Sequence, residues 1–250
     1  TLRVGIDGTE LALRAEGRAG QVPVSLDGSV ALRAGGALLD LNLRAPRLTE
    51  AQARQAVHGW PALSGVAWGG PADVRAHVTG PSTDWSATVD GRLPQATAQG
   101  FRLSDLRVSA LYRNASRLVV VNSALANVAG GTIRATGRVD AKSSPARVAF
   151  TGIAENVDLA QVPFMAGEAK QGRGQATFTA QGPINNVRAT IAASGVDIRL
   201  GPARFGQVAA DVTLPWKGTP SVRARATGIE PVEKDGALPS VQSGAASFRV

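Results

Sequence analysis

Leu39-Asp40-Leu41-Asn42-Leu43-Arg44 sets apolar and polar residues in strict alternation. Successive side chains of a strand point to opposite faces, so this stretch reads as a strand with one apolar and one wetted face. The same period of two recurs in both directions from it. Leu11, Leu13 and Ala15 alternate with Ala12, Arg14 and Glu16, and far downstream Ala176, Phe178 and Ala180 alternate with Thr177, Thr179 and Gln181.

The first strands read as 1–7, 9–18, 21–26, 29–35 and 37–44, with turns at Asp7-Gly8, Asp27-Gly28 and Gly35-Gly36. Asp-Gly and Gly-Gly between alternating runs are hairpin signals, and no connection here is long enough for a parallel crossover. Strands resume at 63–68, 72–79, 84–91, 95–103, 105–113, 117–121, 124–128, 131–140 and 145–151. After a further break they continue at 173–181, 185–193, 196–200, 204–214, 221–228 and 244–250.

Two stretches depart from the period. Residues 48–58 are Ala-rich and free of Gly and Pro, with Thr49 placed to cap, Gln52 three residues on, and Gly59 and Pro61 to stop the segment. They predict a short helix. In 156–168, Asp158 to Val162 has room for one helical turn before Pro163. Residues 229–242 read as a loop. The expected fold is therefore all-β: a long, mostly antiparallel sheet with short helical breaks near 48–58 and 156–168.

Composition narrows the function. Aromatic residues are only 4% of the 250, so the apolar face is built from Val, Leu, Ile and Ala, and 29 Gly and 14 Pro suit frequent turns. No apolar run approaches the roughly 18 residues of a membrane helix, and no signal peptide opens the chain. Both ends, Leu2-Arg3-Val4 and Ser247-Phe248-Arg249-Val250, are strand-like. The expectation is a segment whose chain continues at both ends. The absence of cysteine removes disulfides and thiolate metal sites.

The net charge is +8, yet Arg14, Arg33, Arg44, Arg75, Arg107, Arg134, Arg199 and Arg223 are scattered singly on polar faces. Nucleic-acid binding calls for a clustered patch with stacking aromatics, so no nucleic-acid partner is expected. His58 and His77 are the only histidines and have no carboxylate pattern around them, so no metal is expected. No G-x-S-x-G is present, and the Gly-rich run Gly130 to Gly137 opens a strand, where a phosphate cradle needs a helix. Nothing selects a catalytic set or a cofactor. Trp60, Trp68, Trp85 and Trp216 lie near strand ends or breaks, where they pack a rim or meet lipid headgroups.

An internal repeat is visible at an offset of 102 residues. Gly80-Pro81 falls on Gly182-Pro183, Ala87-Thr88-Val89 on Ala189-Thr190-Ile191, Arg102 on Arg204, and Val74, Ala76 and Val78 on Ala176, Phe178 and Ala180. The order of break, strand, turn and strand is shared.

Asn156-Val157-Asp158-Leu159-Ala160-Gln161, followed by Gly172-Arg173-Gly174-Gln175-Ala176-Thr177-Phe178-Thr179-Ala180-Gln181-Gly182-Pro183, resembles the recurrent unit of the TamB and AsmA-like repeating β-groove family. The run from Leu118 through Gly130-Gly131 to Gly137 resembles it too, as an alternating strand, Gly-Gly, a small strand and Gly. The resemblance implies a sheet curled into a U-shaped trough, the β-taco. It implies an inner-membrane anchor outside this chain, a periplasmic or cell-envelope location and movement of phospholipid towards the outer membrane. A part in outer-membrane protein assembly, with a barrel protein as partner, is implied as well. The chain would be one continuous β-groove segment over 1–250, with units of about 1–47, 48–155 and 156–228 and a remainder at 229–250.

Elementary physics leads the same way. A sheet with one apolar face must cover it, and the helical breaks are too short to do so. An acyl chain of about 15 methylenes gains on the order of 12 kcal/mol by leaving water. Alternation assigns the lining to Leu11, Leu13, Leu39, Leu41, Leu43, Val74, Val78, Leu106, Val108, Val120, Ile133, Phe150, Phe178, Ile191, Ile198, Val208, Ala210 and Val212. At Leu118-Val119-Val120-Val121 both parities are apolar. The expected function is bridge-like lipid transfer with phospholipid acyl chains as cargo. The competing reading is a structural or adhesive envelope β module without lipid, built as a solenoid or sandwich; a membrane barrel lacks its aromatic girdles here.

Overall fold

The computed structural model describes residues 1–19, 22–56, 66–98, 100–163, 169–201, 203–215, 221–231 and 241–249. His58, Gly59, Trp60, Pro61 and Trp216 lie outside them, as do 63–65 of the strand expected at 63–68. In chain order the elements are β1 (Leu2–Asp7), β2 (Glu10–Ala19), β3 (Val22–Arg33), β4 (Gly36–Leu48), α1 (Glu50–Ala56), β5 (Val66–Trp68), β6 (Ala72–Pro81), β7 (Ser86–Ala98), β8 (Phe101–Arg113), β9 (Leu118–Val128) and β10 (Gly131–Asp140). They continue with β11 (Arg147–Asp158), a 3-10 turn (Leu159–Gln161), β12 (Ala169–Pro183), β13 (Arg188–Leu200), β14 (Ala203–Leu214), β15 (Ser221–Pro231) and β16 (Val241–Arg249).

All the strands join one sheet in sequence order, with β5 pairing the β7 edge beyond β6. Every pairing is antiparallel, and the sheet is open and curled, with β1 and β16 at its edges. The described residues form neither a sandwich, a solenoid nor a closed barrel.

Several expected turns are absorbed into longer strands. Asp27-Gly28 is no turn: it lies inside β3, with Gly28 opposite Leu13 on one side and Leu41 on the other. A side chain at Gly28, where φ is 145°, would strike the backbone of Asp40, so this glycine permits a close approach within the sheet. The expected break near Pro94 also vanishes. Pro94 sits in β7 across from Asp105, at the one step where the two strands make no pair, so its missing N–H costs nothing. The stretches 117–121 and 124–128 fuse into β9 through an irregularity at 122–123. The second break starts later than expected, because 156–158 still belong to β11.

The first break forms as its residues dictate. Thr49 N–H donates to Gln52 Oε1 at 2.9 Å and Gln52 N–H to Thr49 Oγ1 at 3.4 Å, a reciprocal cap. Glu50 then accepts the Trp68 N–H at 2.8 Å, and Arg54 donates to the Val66 carbonyl at 3.1 Å. The first turns of α1 thus satisfy the β5 edge that β4 does not reach. The N–H of Trp68, with Arg54 beside it, holds the Glu50 carboxyl below its ordinary range.

The 102-residue offset carries one turn onto another. Asp84 N–H donates to the Pro81 carbonyl at 2.9 Å, and Asn186 N–H to the Pro183 carbonyl at 2.7 Å. At each site the preceding glycine, Gly80 or Gly182, lies against the backbone of the turn that leads into the returning strand.

Candidate functional site

The register lays out one face of the sheet residue by residue. Directly paired residues share a face, and one continuous row crosses ten strands: Val74, Gly91, Val108, Ala124, Ala135, Gly152, Phe178, Ile191, Val212 and Val222. A second row runs Leu26, Leu43, Ala76, Val89, Ala110, Val121, Gly137, Phe150, Ala180 and Ala189. Leu13, Leu41 and Val78 belong to the next row, and Leu11 and Leu39 flank Val30. Leu106 pairs with Leu93, and Ile133 lies between Ala126 and Ala154. Ile198 pairs with Phe205, Val208 with Gly195 and Ala210 with Ala193.

Among the described residues from β1 to β15, this face carries no charged side chain; its one hydroxyl is that of Tyr112, whose ring packs on Trp85 at 5.3 Å.

Val120 is a correction. It pairs with Leu111 and Arg138, and Arg138 pairs with Ala149 and that in turn with Gln181, all on the outer face. Val119 and Val121 take the inner positions, against Val139 and Gly137. A run that is apolar in both parities gives no sequence signal for the choice; the partner strands make it.

The outer face carries the charged and hydroxyl side chains, with Leu111, Val120, Leu125 and Ile153 set among them. Thr136, Thr151, Thr179, Thr190, Thr213 and Ser221 form a hydroxyl row, with Thr179 and Thr190 oxygens 2.6 Å apart. His77 lies on this face, its Nε2 2.7 Å from Asp40 Oδ1.

Parity breaks once along many strands, in a band that drifts by about two rows between β4 and β15. Arg47 in β4, Asp105 in β8, Asn156 in β11 and Asp197 in β13 have φ of 58°, 50°, 58° and 52°, and Gly228 in β15 has 64°. On either side of each, residues three apart share the inner face: Ala45 and Leu48, Leu103 and Leu106, Ala154 and Val157, Gly195 and Ile198, Ala226 and Ile229. These are bulges, which bend a strand and raise its twist. Their alignment forms a crease along the trough.

Four of these five positions are fastened on the outer side. Asp105 is held by Arg92 at 2.8 Å and Arg107 at 2.6 Å, and Asp197 by Arg204 at 2.6 Å. Asn156 accepts from Arg173 at 2.7 Å, and Arg47 N–H donates to Asp73 at 3.2 Å. Hydrogen bonding from Arg107 holds the Asp105 carboxyl below its ordinary range, and Arg204 does the same for Asp197.

A cluster of buried inner residues lies at this crease: Ala72, Leu93 and Ala96, with Leu48, Trp68, Leu103 and Leu106 packed on them. Leu93, Ala96, Leu103, Ala126, Val128 and Trp68 were not in the alternating set. They lie at or beyond bulges, or are alanines, so a strict period of two passes over them. Two leucines three apart in a strand, Leu103 and Leu106, were the available signal.

The face is lined but not sealed. No side chain is fully buried, and no polar or charged residue is buried at all among those described. The 3-10 turn covers one end, with Leu159 over Gly174. No family model, curated protein or solved structure matches the chain.

Proposed function

We propose that the curled sheet is a conduit that shields phospholipid acyl chains between two membranes. The observation that carries this reading is the uncharged inner face, continuous over fifteen strands and open along its length. Covering an acyl chain of about 15 methylenes is worth on the order of 12 kcal/mol. A trough that offers the same apolar lining at every step lets a chain move along it without re-entering water. Small residues support the reading: Ala124, Ala135, Ala154, Ala176, Ala193 and Ala210 line the floor and leave its volume free. A cell-envelope setting and an outer-membrane barrel partner follow from the family resemblance and belong to the same proposal.

The test is lipid occupancy of the purified chain by native mass spectrometry. The parent is expected to carry phospholipid. Ile191→Asp puts a carboxylate on the inner row and should lower occupancy at least about tenfold, with Ile191→Ser intermediate. Thr190→Asp, one residue away on the outer face, should leave it unchanged. A parent free of lipid, or equal occupancy in both Asp variants, favours the structural β module and overturns the conduit.

A further inference from the structure

We infer that the outer face holds a binding site for a phosphate group, formed by Arg138, Arg147 and Arg188. A depression of about 800 Å³ opens there. Arg138 stands opposite Ala149, Ala149 opposite Gln181, and Gln181 opposite Arg188, so two arginines flank Ala149 and Gln181 on one face. Arg147, two residues before Ala149 on β11, lies diagonally across from Arg138, a spacing of about 7–8 Å between backbones. Lys142 adds a fourth cation at the lip.

The one carboxylate in the depression, Asp140, stands directly opposite Arg147 and leaves a surplus of three positive charges among the four cations. Asp140 accepts from the Ser143 hydroxyl and the Lys142 N–H, both at 2.9 Å, and from the Ser143 N–H at 3.3 Å. Arg138, Arg147 and Arg188 form no ion pair among the described residues, whereas Arg54, Arg92, Arg107 and Arg204 each do. Unpaired guanidinium forks around a concave floor suit an anion with several acceptor oxygens, and a tetrahedral phosphate offers that geometry. Strand pairing brings these three arginines, far apart in the chain, to one depression. The site lies opposite the trough and stands whether or not the trough carries lipid.

A phosphate group has two sources, a free phosphate and a lipid headgroup, and two probes separate them. Inorganic phosphate is titrated by calorimetry. Flotation is measured with phosphatidylcholine vesicles with and without phosphatidylglycerol. Arg138→Gln with Arg188→Gln is compared with Arg44→Gln with Arg75→Gln, an equal charge loss on the same face far from the depression. Circular dichroism checks that both fold. The parent should bind at least one probe. The Arg138/Arg188 variant should lose the phosphate heat, or partition about thirty-fold less onto anionic vesicles, while the control keeps the parent's behaviour. Phosphate binding alone assigns a free anion, and vesicle binding alone assigns a headgroup. A parent that binds neither probe, or a control that loses as much, overturns the site.

Discussion

Phe150 and Phe178 are the largest side chains of the two ten-residue inner rows, and neither stands up into the trough. A Cβ at Gly137 would land on the Phe150 ring, and one at Gly152 on the Phe178 ring. Each ring therefore lies flat across the glycine of the preceding strand, covering its bare backbone. Gly152→Val should push the Phe178 ring upward and cost about 1–3 kcal/mol of stability by overpacking. A fall in bound lipid reads the first effect, and urea unfolding reads the second. An unchanged midpoint with unchanged occupancy would show that the ring is not held this way. At the same scale, alternation placed the inner-row residues from Leu11 to Val212 on one face and misplaced Val120. Only the Arg138 opposite Val120 distinguishes it from its two valine neighbours.

Strands and their bulges come next. The crease depends on single residues at positive φ, and Asp and Asn tolerate that conformation better than other side-chain-bearing residues. Asp105 and Asp197 serve twice, through the backbone they permit and the arginines they hold. Their carboxyls titrate below the ordinary range in the folded chain, so folding is favoured by their charged form. That contribution is fully present above the unfolded-state pKa and is lost as pH falls through the lower folded one. Stability should therefore be level at neutral pH and decline below about pH 4. Asp105→Asn keeps the positive φ and removes the charge. It should shallow the acid limb of a pH–stability curve with little change in the spectrum of the fold; an acid limb identical to the parent's would remove the clamp from the account. The α1 cap was legible from Thr49 and Gln52, because a capping box is local. The role of Asp27-Gly28 was not, because the same dipeptide serves a turn or a close strand approach, and the difference lies in Asp40 across the sheet.

For the molecule as a whole, surface is the telling quantity. The chain exposes 16114 Å², where a compact protein of its mass exposes about 10,000 Å². A one-layer sheet without a second layer on its apolar face accounts for the direction of the excess. Unfolding then uncovers less new surface than in a compact protein. The urea m-value of the lipid-free chain should be about four-fifths of that expected for its length. A full-sized value would mean that the apolar face is covered in solution.

The amino-acid order by itself determined that this is an antiparallel β protein with one apolar face, and which residues supply most of it. Those are consequences of a period of two and of local turn chemistry. Tertiary structure decided the rest: where the parity flips, which of three adjacent valines points outward, how the bulges align into a crease, and which arginines meet. Each depends on what a partner strand places across a gap of about 4.8 Å, and that neighbour is often tens of residues away in the chain.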